Sequence, residues 1–281
     1  MMNFRNTINK AVAILECNSI KNANFDAELL FSTSLNVSRE KILLNLEKTI
    51  DYYEVKKYFN LINRRIKKEP LSQIVGKKSF WRNEFQVNRH VLTPRNETEF
   101  LVEEILKIYK KNTHLSILDV GVGSGCIIIS LLKEKQKWVG TGVDISKLAI
   151  KIAKNNAKIQ QVENRIRFIK SDIDKFSSSK YDLVVSNPPY INKIGYNNLD
   201  LGVKGYEPKQ ALYGGLDGLR VIEKVIKKSR FILKNNGLLV MEIGSGQHNN
   251  VSDILKYNGF YIKNIVKDYQ KIKRCIISKK I

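Results

Sequence analysis

Cysteine and histidine are scarce in this chain of 281 residues, with three of each. Cys17, Cys126 and Cys275 are odd in number, widely spaced and form no CxxC pair, which argues against a disulfide framework and against structural zinc. Each is expected to be a small buried hydrophobe. His90, His114 and His248 are equally scattered, so no metal centre is expected. No apolar run approaches the ~20 residues that span a bilayer. The first six residues lack the long apolar core of a signal peptide, and a cytoplasmic location is expected. Internal repeats and low-complexity linkers are missing as well. Acidic residues are in deficit: 27 Asp and Glu stand against 49 Lys and Arg, a formal charge of +22. Such an excess invites a nucleic-acid partner. The lysines are spread along the whole chain, however, and do not gather on one face with aromatics between them. No stable nucleic-acid partner is therefore expected. The densest basic cluster, Arg64-Arg65-Ile66-Lys67-Lys68, ends a predicted helix, where cations complement the helix dipole. The charge still favours encounter with an acidic partner.

Periodicity divides the chain. Phe4, Ile8, Val12 and Ile14-Leu15 suggest one helix, and Ala27, Leu29-Leu30 and Leu35 another. Asp51 with Glu54 resembles a capping box for a helix carrying Val55, Tyr58, Phe59, Ile62 and Ile66, closed by Pro70. Residues 1–78 thus read as a small helical domain. Residues 79–96 read as a hairpin linker, with Asn83 and Asn88 as turn formers. From residue 97 to 281 strand and helix patterns alternate, the signature of a parallel sheet. Strands are expected at Leu115–Val120, Trp138–Val143, Arg165–Lys170, Tyr181–Ser186 and Leu238–Ile243. Asn235-Asn236-Gly237 is expected to end the helix before the last of these. Tyr261–Val266 and Cys275–Ser278 read as a closing antiparallel pair.

The ends of these strands carry the chemistry. Prolines number five, and two stand together in Asn187-Pro188-Pro189-Tyr190, directly after the apolar run Leu183-Val184-Val185. Proline fixes φ and lacks an N–H, so the turn is rigid and cannot continue the strand. It presents a carboxamide, bare carbonyls and an aromatic ring together, a set suited to a planar NH2 group. Asp119-Val120-Gly121-Val122-Gly123-Ser124-Gly125 follows the first parallel strand, and its glycines let a ligand approach the backbone. It is not the dinucleotide fingerprint GxGxxG, which needs glycine where Cys126 stands. Asp144 ends the next strand, where a carboxylate can accept the hydroxyls of a ribose. Ser171-Asp172 ends the third.

Taken in order, Asp-x-Gly-x-Gly-x-Gly, an acidic strand end and Asn-Pro-Pro-Tyr resemble class I S-adenosylmethionine-dependent methyltransferases that act on planar nitrogens. Thr93-Pro94-Arg95-Asn96-Glu97-Thr98-Glu99 is similar to the Pro-Arg-Pro-Glu-Thr-Glu signature of the HemK/PrmC family, the glutamine N5-methyltransferases of peptide chain release factors. Asp26-Ala27-Glu28-Leu29-Leu30, Glu69-Pro70-Leu71 with Gly76 and Phe80, Glu207-Pro208 through Gly214-Gly215-Leu216-Asp217-Gly218-Leu219, and Glu242-Ile243-Gly244 with Gln247 add to the resemblance, which covers nearly the whole chain. Two positions depart from it. Asn96 replaces the second proline of the signature. Ile173 stands where many members have a tryptophan against adenine.

The resemblance implies an α/β fold, with a doubly wound, mostly parallel seven-stranded sheet and a small N-terminal helical domain. It implies S-adenosylmethionine as cofactor. Gly121, Val122, Gly123, Ser124 and Gly125 would admit its methionyl part, Asp144 its ribose, and Asp172 and Ile173 its adenine. Asn187 would face both cofactor and substrate. Asn187 Oδ1 and the Pro188 carbonyl would accept the hydrogens of a substrate amide, with Pro189 fixing the turn and Tyr190 stacked on the amide plane. No His, Cys or paired carboxylate accompanies this motif, so no strong general base is expected. Arg95 and Glu97 read as structural or substrate-facing. The implied partner is a class I release factor, methylated on the glutamine of its Gly-Gly-Gln loop by a monomeric enzyme. The competing reading is methylation of an exocyclic amino group of a base in DNA or RNA.

Overall fold

The computed structural model describes residues 2–111, 113–177, 180–268 and 270–281. The chain forms two compact units, residues 1–76 with 200–206, and residues 77–199 with 207–281.

The first unit is helical. It contains α1 (Phe4–Cys17), α2 (Ala23–Leu35), α3 (Arg39–Leu43), α4 (Tyr52–Ile66) and α5 (Leu71–Val75). Asp51 caps α4 as its spacing predicts, its Oδ1 accepting the Glu54 N–H at 2.9 Å. Leu15, Leu30, Phe31, Ile42, Tyr58 and Ile62 are fully buried in one core. Burying each of them contributes roughly 1.5–3 kcal/mol. Polar residues of the quoted motifs lock this bundle. Asp26 takes Arg65 at 2.7 Å, Glu28 takes Arg39 at 2.6 Å, and the Ala27 carbonyl accepts the Tyr58 hydroxyl at 3.0 Å. Glu69 holds Arg64 with two hydrogen bonds. Lys68 donates to the Asn18 and Ser19 carbonyls. Three members of the densest basic cluster thus have internal partners. Cys17, expected inside, is exposed, because it lies at the last turn of α1 away from the apolar stripe.

A segment from later in the chain joins this unit. Residues 200–206, with α10 (Leu201–Lys204), pack there. Gln73 Nε2 donates to the Tyr206 carbonyl at 3.1 Å, and the Tyr206 hydroxyl to the Lys67 carbonyl at 3.1 Å.

The second unit starts at Lys77, and the hairpin of β1 (Lys77–Phe80) and β2 (Asn83–Gln86) belongs to it rather than to a linker. The turn falls at Trp81-Arg82, with Trp81 in the left-handed region at φ 54°. Asn83 instead opens β2. After α6 (Glu99–Ile108) come β3 (Ser116–Val120), α7 (Cys126–Glu134), β4 (Val139–Asp144), α8 (Lys147–Ile159), β5 (Ile166–Lys170) and β6 (Tyr181–Ser186). Short helices α9 (Lys193–Asn197) and α11 (Lys209–Leu212) lead to α12 (Arg220–Ile232), β7 (Leu233–Glu242), α13 (His248–Tyr257), β8 (Phe260–Lys267) and β9 (Lys273–Lys280). The seven-stranded sheet has the order β5-β4-β3-β6-β7-β9-β8. Its first five strands pair in parallel, and β9 alone runs against the rest, pairing antiparallel with both β7 and β8. β7 begins earlier than the sequence suggests. Asn235–Gly237 lie inside it as an irregularity, between the pairs Tyr181↔Leu233 and Leu183↔Leu238, with Asn236 at φ 65°.

Alternation along the strands sorts two cores. Ile117, Leu183 and Val185 pack with Leu101, Ile128 and Ala153 of α6, α7 and α8 on one face. Leu118, Val184 and Leu239 pack with Ile222, Val225 and Leu255 of α12 and α13 on the other. Parallel register brings Val120, Ser186 and Met241 level, and Asp144 level with Lys170. The loops after four strands therefore open at one edge, where open α/β sheets bind ligands.

Candidate active site

A cleft of about 640 Å³ opens at that edge. Its floor is the glycine loop. Gly121, Gly123 and Gly125 have φ of 77°, 54° and 83°, a backbone that L side chains rarely adopt. Gly121, Val122, Gly123 and Ser124 line the cleft. Gly125 stands behind them as the cap of α7, where a Cβ would meet Ile129 Cδ1 at 2.7 Å. Asp144 holds this loop, its Oδ2 accepting the Gly123 N–H at 2.9 Å and its Oδ1 the Ser146 N–H at 2.8 Å. Ser146 itself caps α8 through the Ala149 N–H. Asp144 is therefore free of capping α8 and lines the cleft, and burial raises its pKa. Asp172 and Ile173 line the far side; Ile173 is buried, and Asp172 lies 3.9 Å from Lys224.

Asn187, Pro188 and Pro189 line the opposite wall. The Asn187 Nδ2 donates to Thr98 Oγ1 at 3.0 Å. Among the described residues no donor serves Asn187 Oδ1 or the Pro188 carbonyl. The turn is held from behind. Ile191 N–H bonds the Leu212 carbonyl, Gly214 N–H bonds the Ile191 carbonyl, and Gln247 Nε2 donates to the Tyr190 carbonyl. At Gly214 a Cβ would meet the Pro189 carbonyl at 2.5 Å, which explains the first glycine of the 214–218 motif. Tyr190 does not line the cleft. Its hydroxyl donates to Glu242 Oε1 at 3.1 Å and its ring packs on the buried cluster around Ile243, so the ring expected over a substrate amide is tethered instead. Burial and the Glu242 charge raise its pKa.

Arg95 reaches the mouth, where it pairs with the fully buried Glu207 at 2.6 Å. Three further residues carried no assigned role in the sequence. Thr98 joins Asn187 to Glu242, whose Oε2 accepts the Thr98 hydroxyl at 2.7 Å. Asp119, 1% exposed and one residue before the cleft-lining segment, has neither oxygen hydrogen-bonded. Burial pushes Asp119 and Glu242 each up to about 7. The signal for Asp119 was present: a carboxylate inside the apolar run Ile117-Leu118-Asp119-Val120. Thr98 and Glu242 lie 144 residues apart, and no local pattern joins them.

These features suit a ligand with a cationic end, hydroxyls and a flat apolar portion. The uncompensated Asp119 carboxylate favours a nearby positive charge, Asp144 retains lone pairs for hydroxyls, and the Ile173 side offers apolar surface. S-adenosylmethionine has that composition. The fold is shared with the ribosomal protein L11 methylase of Lactobacillus delbrueckii subsp. bulgaricus, at TM-score 0.51 and 19% identity over 73% of this chain and 89% of that one. Residues 96–200 match the methyltransferase small domain family. The protein is an S-adenosylmethionine-dependent methyltransferase.

Residues 6–76 match the PrmC N-terminal domain family. The chain is 39% identical over 277 residues to the release factor glutamine methyltransferase of Fusobacterium nucleatum subsp. nucleatum, covering 97% of this chain and 77% of that protein. It is 34% identical to the enzyme of that name from Caulobacter vibrioides, covering 93% and 91%. The chain belongs to the release factor glutamine methyltransferase family. It is also 34% identical to a bifunctional methyltransferase of Rickettsia bellii, of whose length it spans 53%. Among the described residues no helix is long and apolar enough to cross a membrane.

Proposed function

We propose that this protein methylates the side-chain amide nitrogen of the glutamine in the Gly-Gly-Gln loop of class I release factors. The observation that carries the reading is the wall of the cleft at Asn187. There a carboxamide tied by its Nδ2 to Thr98 leaves Oδ1 and the neighbouring Pro188 carbonyl without donors among the described residues. An amide nitrogen is a poor nucleophile, because its lone pair is delocalised into the carbonyl. Two acceptors on its hydrogens raise electron density on nitrogen and stabilise the positive charge that develops there. They also fix its position, which converts an encounter into an oriented contact. When bound, S-adenosylmethionine supplies an electrophilic methyl group on a sulfonium. Gly121–Gly125 and Asp144 would hold it, with Asp172 and Ile173 on the side that would take the adenine. Asn187 and Pro188 touch the substrate, Pro189 stiffens the turn, and Tyr190 anchors it through Glu242.

The same reading includes a monomer in the cytoplasm without a stable nucleic-acid partner. The internal partners of Arg64, Arg65 and Lys68 support treating this basic cluster as structural. The family relationship and the helical unit support a protein substrate, since a whole partner offers the remote contacts that orient a reacting group. Asn187→Ala should lower the single-turnover rate with release factor by about 10²-fold, the loss expected for one preorganised polar contact. A near-normal rate in a folded Asn187→Ala protein refutes the role.

A further inference from the structure

Glu242 ends β7 with its carboxylate 2% exposed, and it receives two hydroxyls there, Thr98 at 2.7 Å and Tyr190 at 3.1 Å. An ionised carboxylate only accepts. While Glu242 is ionised, Thr98 therefore directs its single hydroxyl proton to it, and what its oxygen has left is lone pairs. The neighbour 3.0 Å away on that side is the Asn187 carboxamide. Only the NH2 end of a carboxamide can donate to those lone pairs, so the oxygen end must face the other way. We propose that Thr98 and Glu242 are positioning residues that set which end of the Asn187 carboxamide meets the substrate. The inference rests on the reading of Asn187 as acceptor for the substrate NH2. Rotated by half a turn, Asn187 would present NH2 to NH2, two donors with no acceptor between them. Nothing else among the described residues bonds the Asn187 side chain, so the choice of orientation falls to this chain of hydrogen bonds. Thr98 is itself 3% exposed and arrives on the 3-10 turn Asn96–Thr98. That assigns a purpose to the threonine of the 93–99 signature and to the glutamate of Glu242-Ile243-Gly244.

The test is Thr98→Val, which keeps the shape and removes the hydroxyl. Loss of one hydrogen bond that orients the acceptor should lower kcat about tenfold. The KM for release factor and the cofactor Kd should stay within about twofold, because Thr98 lines the cleft with only 3% of its surface exposed and valine keeps its shape. Thr98→Ser, which restores the hydroxyl, should recover kcat. In an Asn187→Ala background Thr98→Val should cost nothing more, since the two act as one unit. A Thr98→Val enzyme with unchanged kcat beside an inactive Asn187→Ala enzyme overturns the positioning inference and leaves the Asn187 reading standing. Near-normal activity of Asn187→Ala removes both. If Thr98→Val does not fold, the wild-type protein decides by amide NMR. The Asn187 side-chain NH2 signals, identified by their loss in Asn187→Ala, should be protected from solvent exchange. Exchange as fast as that of an exposed asparagine overturns the inference.

Discussion

Replacing Asp119 by asparagine should change how the stability of the free protein depends on pH. Asp119 has an ordinary carboxyl pKa of 3.8 when unfolded and about 7 in the fold, chiefly because burial disfavours its charge, with the Asp144 charge adding to the shift. Between these values the native state holds a proton that the unfolded state has released. The slope of unfolding free energy with pH is then negative, so this residue lowers stability as pH rises from about 4 to about 7 and by a constant amount above. Three pH units at about 1.36 kcal/mol each put the cost on the order of 4 kcal/mol at pH 8. Asparagine has the same shape and no proton to lose. Urea unfolding without cofactor, followed by the fluorescence of the buried Trp138, should therefore show the Asp119→Asn variant gaining on the original protein between pH 5 and 8. Glu242 titrates in both proteins and cancels in the difference. A gap between the two proteins that is the same at pH 5 and pH 8 refutes the assignment of Asp119 as an uncompensated buried carboxylate.

Asp144→Ala should weaken S-adenosylmethionine by about 1.5–3 kcal/mol, the value of hydrogen bonds to a charged group, and calorimetry on folded protein checks it. Asp144→Asn should fall between, because it can still accept one of the two loop N–H groups. Lowering the pH through about 7 should reduce kcat as Glu242 takes up a proton and ceases to be a pure acceptor for Thr98 and Tyr190, with Arg274 opposing and Glu97 favouring that uptake. A kcat flat from pH 5.5 to 8.5 contradicts this. Deleting residues 1–76 should leave cofactor binding in place and raise the KM for release factor. It also strips the partners of residues 200–206, so solubility is to be checked beside activity.

The sheet was legible because each strand announces its end. Leu183-Val184-Val185 stops at Asn187-Pro188, and Ile117-Leu118 runs into three glycines, so apolar runs and their breakers mark both the strands and the ligand-facing loops. Local signals misplaced what tertiary packing decides. Asn235–Gly237 has turn composition, yet pairing with β6 draws it into β7 as an irregularity. Asn83 looked like the hairpin turn, while Trp81 takes the positive φ, its N–H held by Glu99 Oε1 at 2.8 Å. The excursion of residues 200–206 into the helical unit leaves no trace in composition, because its bonds go to backbone carbonyls and to Gln73, far away in sequence. Tyr190 was expected at the substrate because it follows the prolines. Its hydroxyl instead meets a buried carboxylate 52 residues later.

The central claim is that the acceptor nitrogen belongs to a glutamine side chain. The most direct measurement incubates the full chain with methyl-labelled S-adenosylmethionine and, at matched concentrations, purified class I release factor, the same factor with its Gly-Gly-Gln glutamine changed to alanine, DNA, and RNA. The account predicts label in the unaltered release factor alone, located by mass spectrometry on that glutamine. Robust label in DNA or RNA with none in release factor, or undiminished label in the alanine variant, would contradict it.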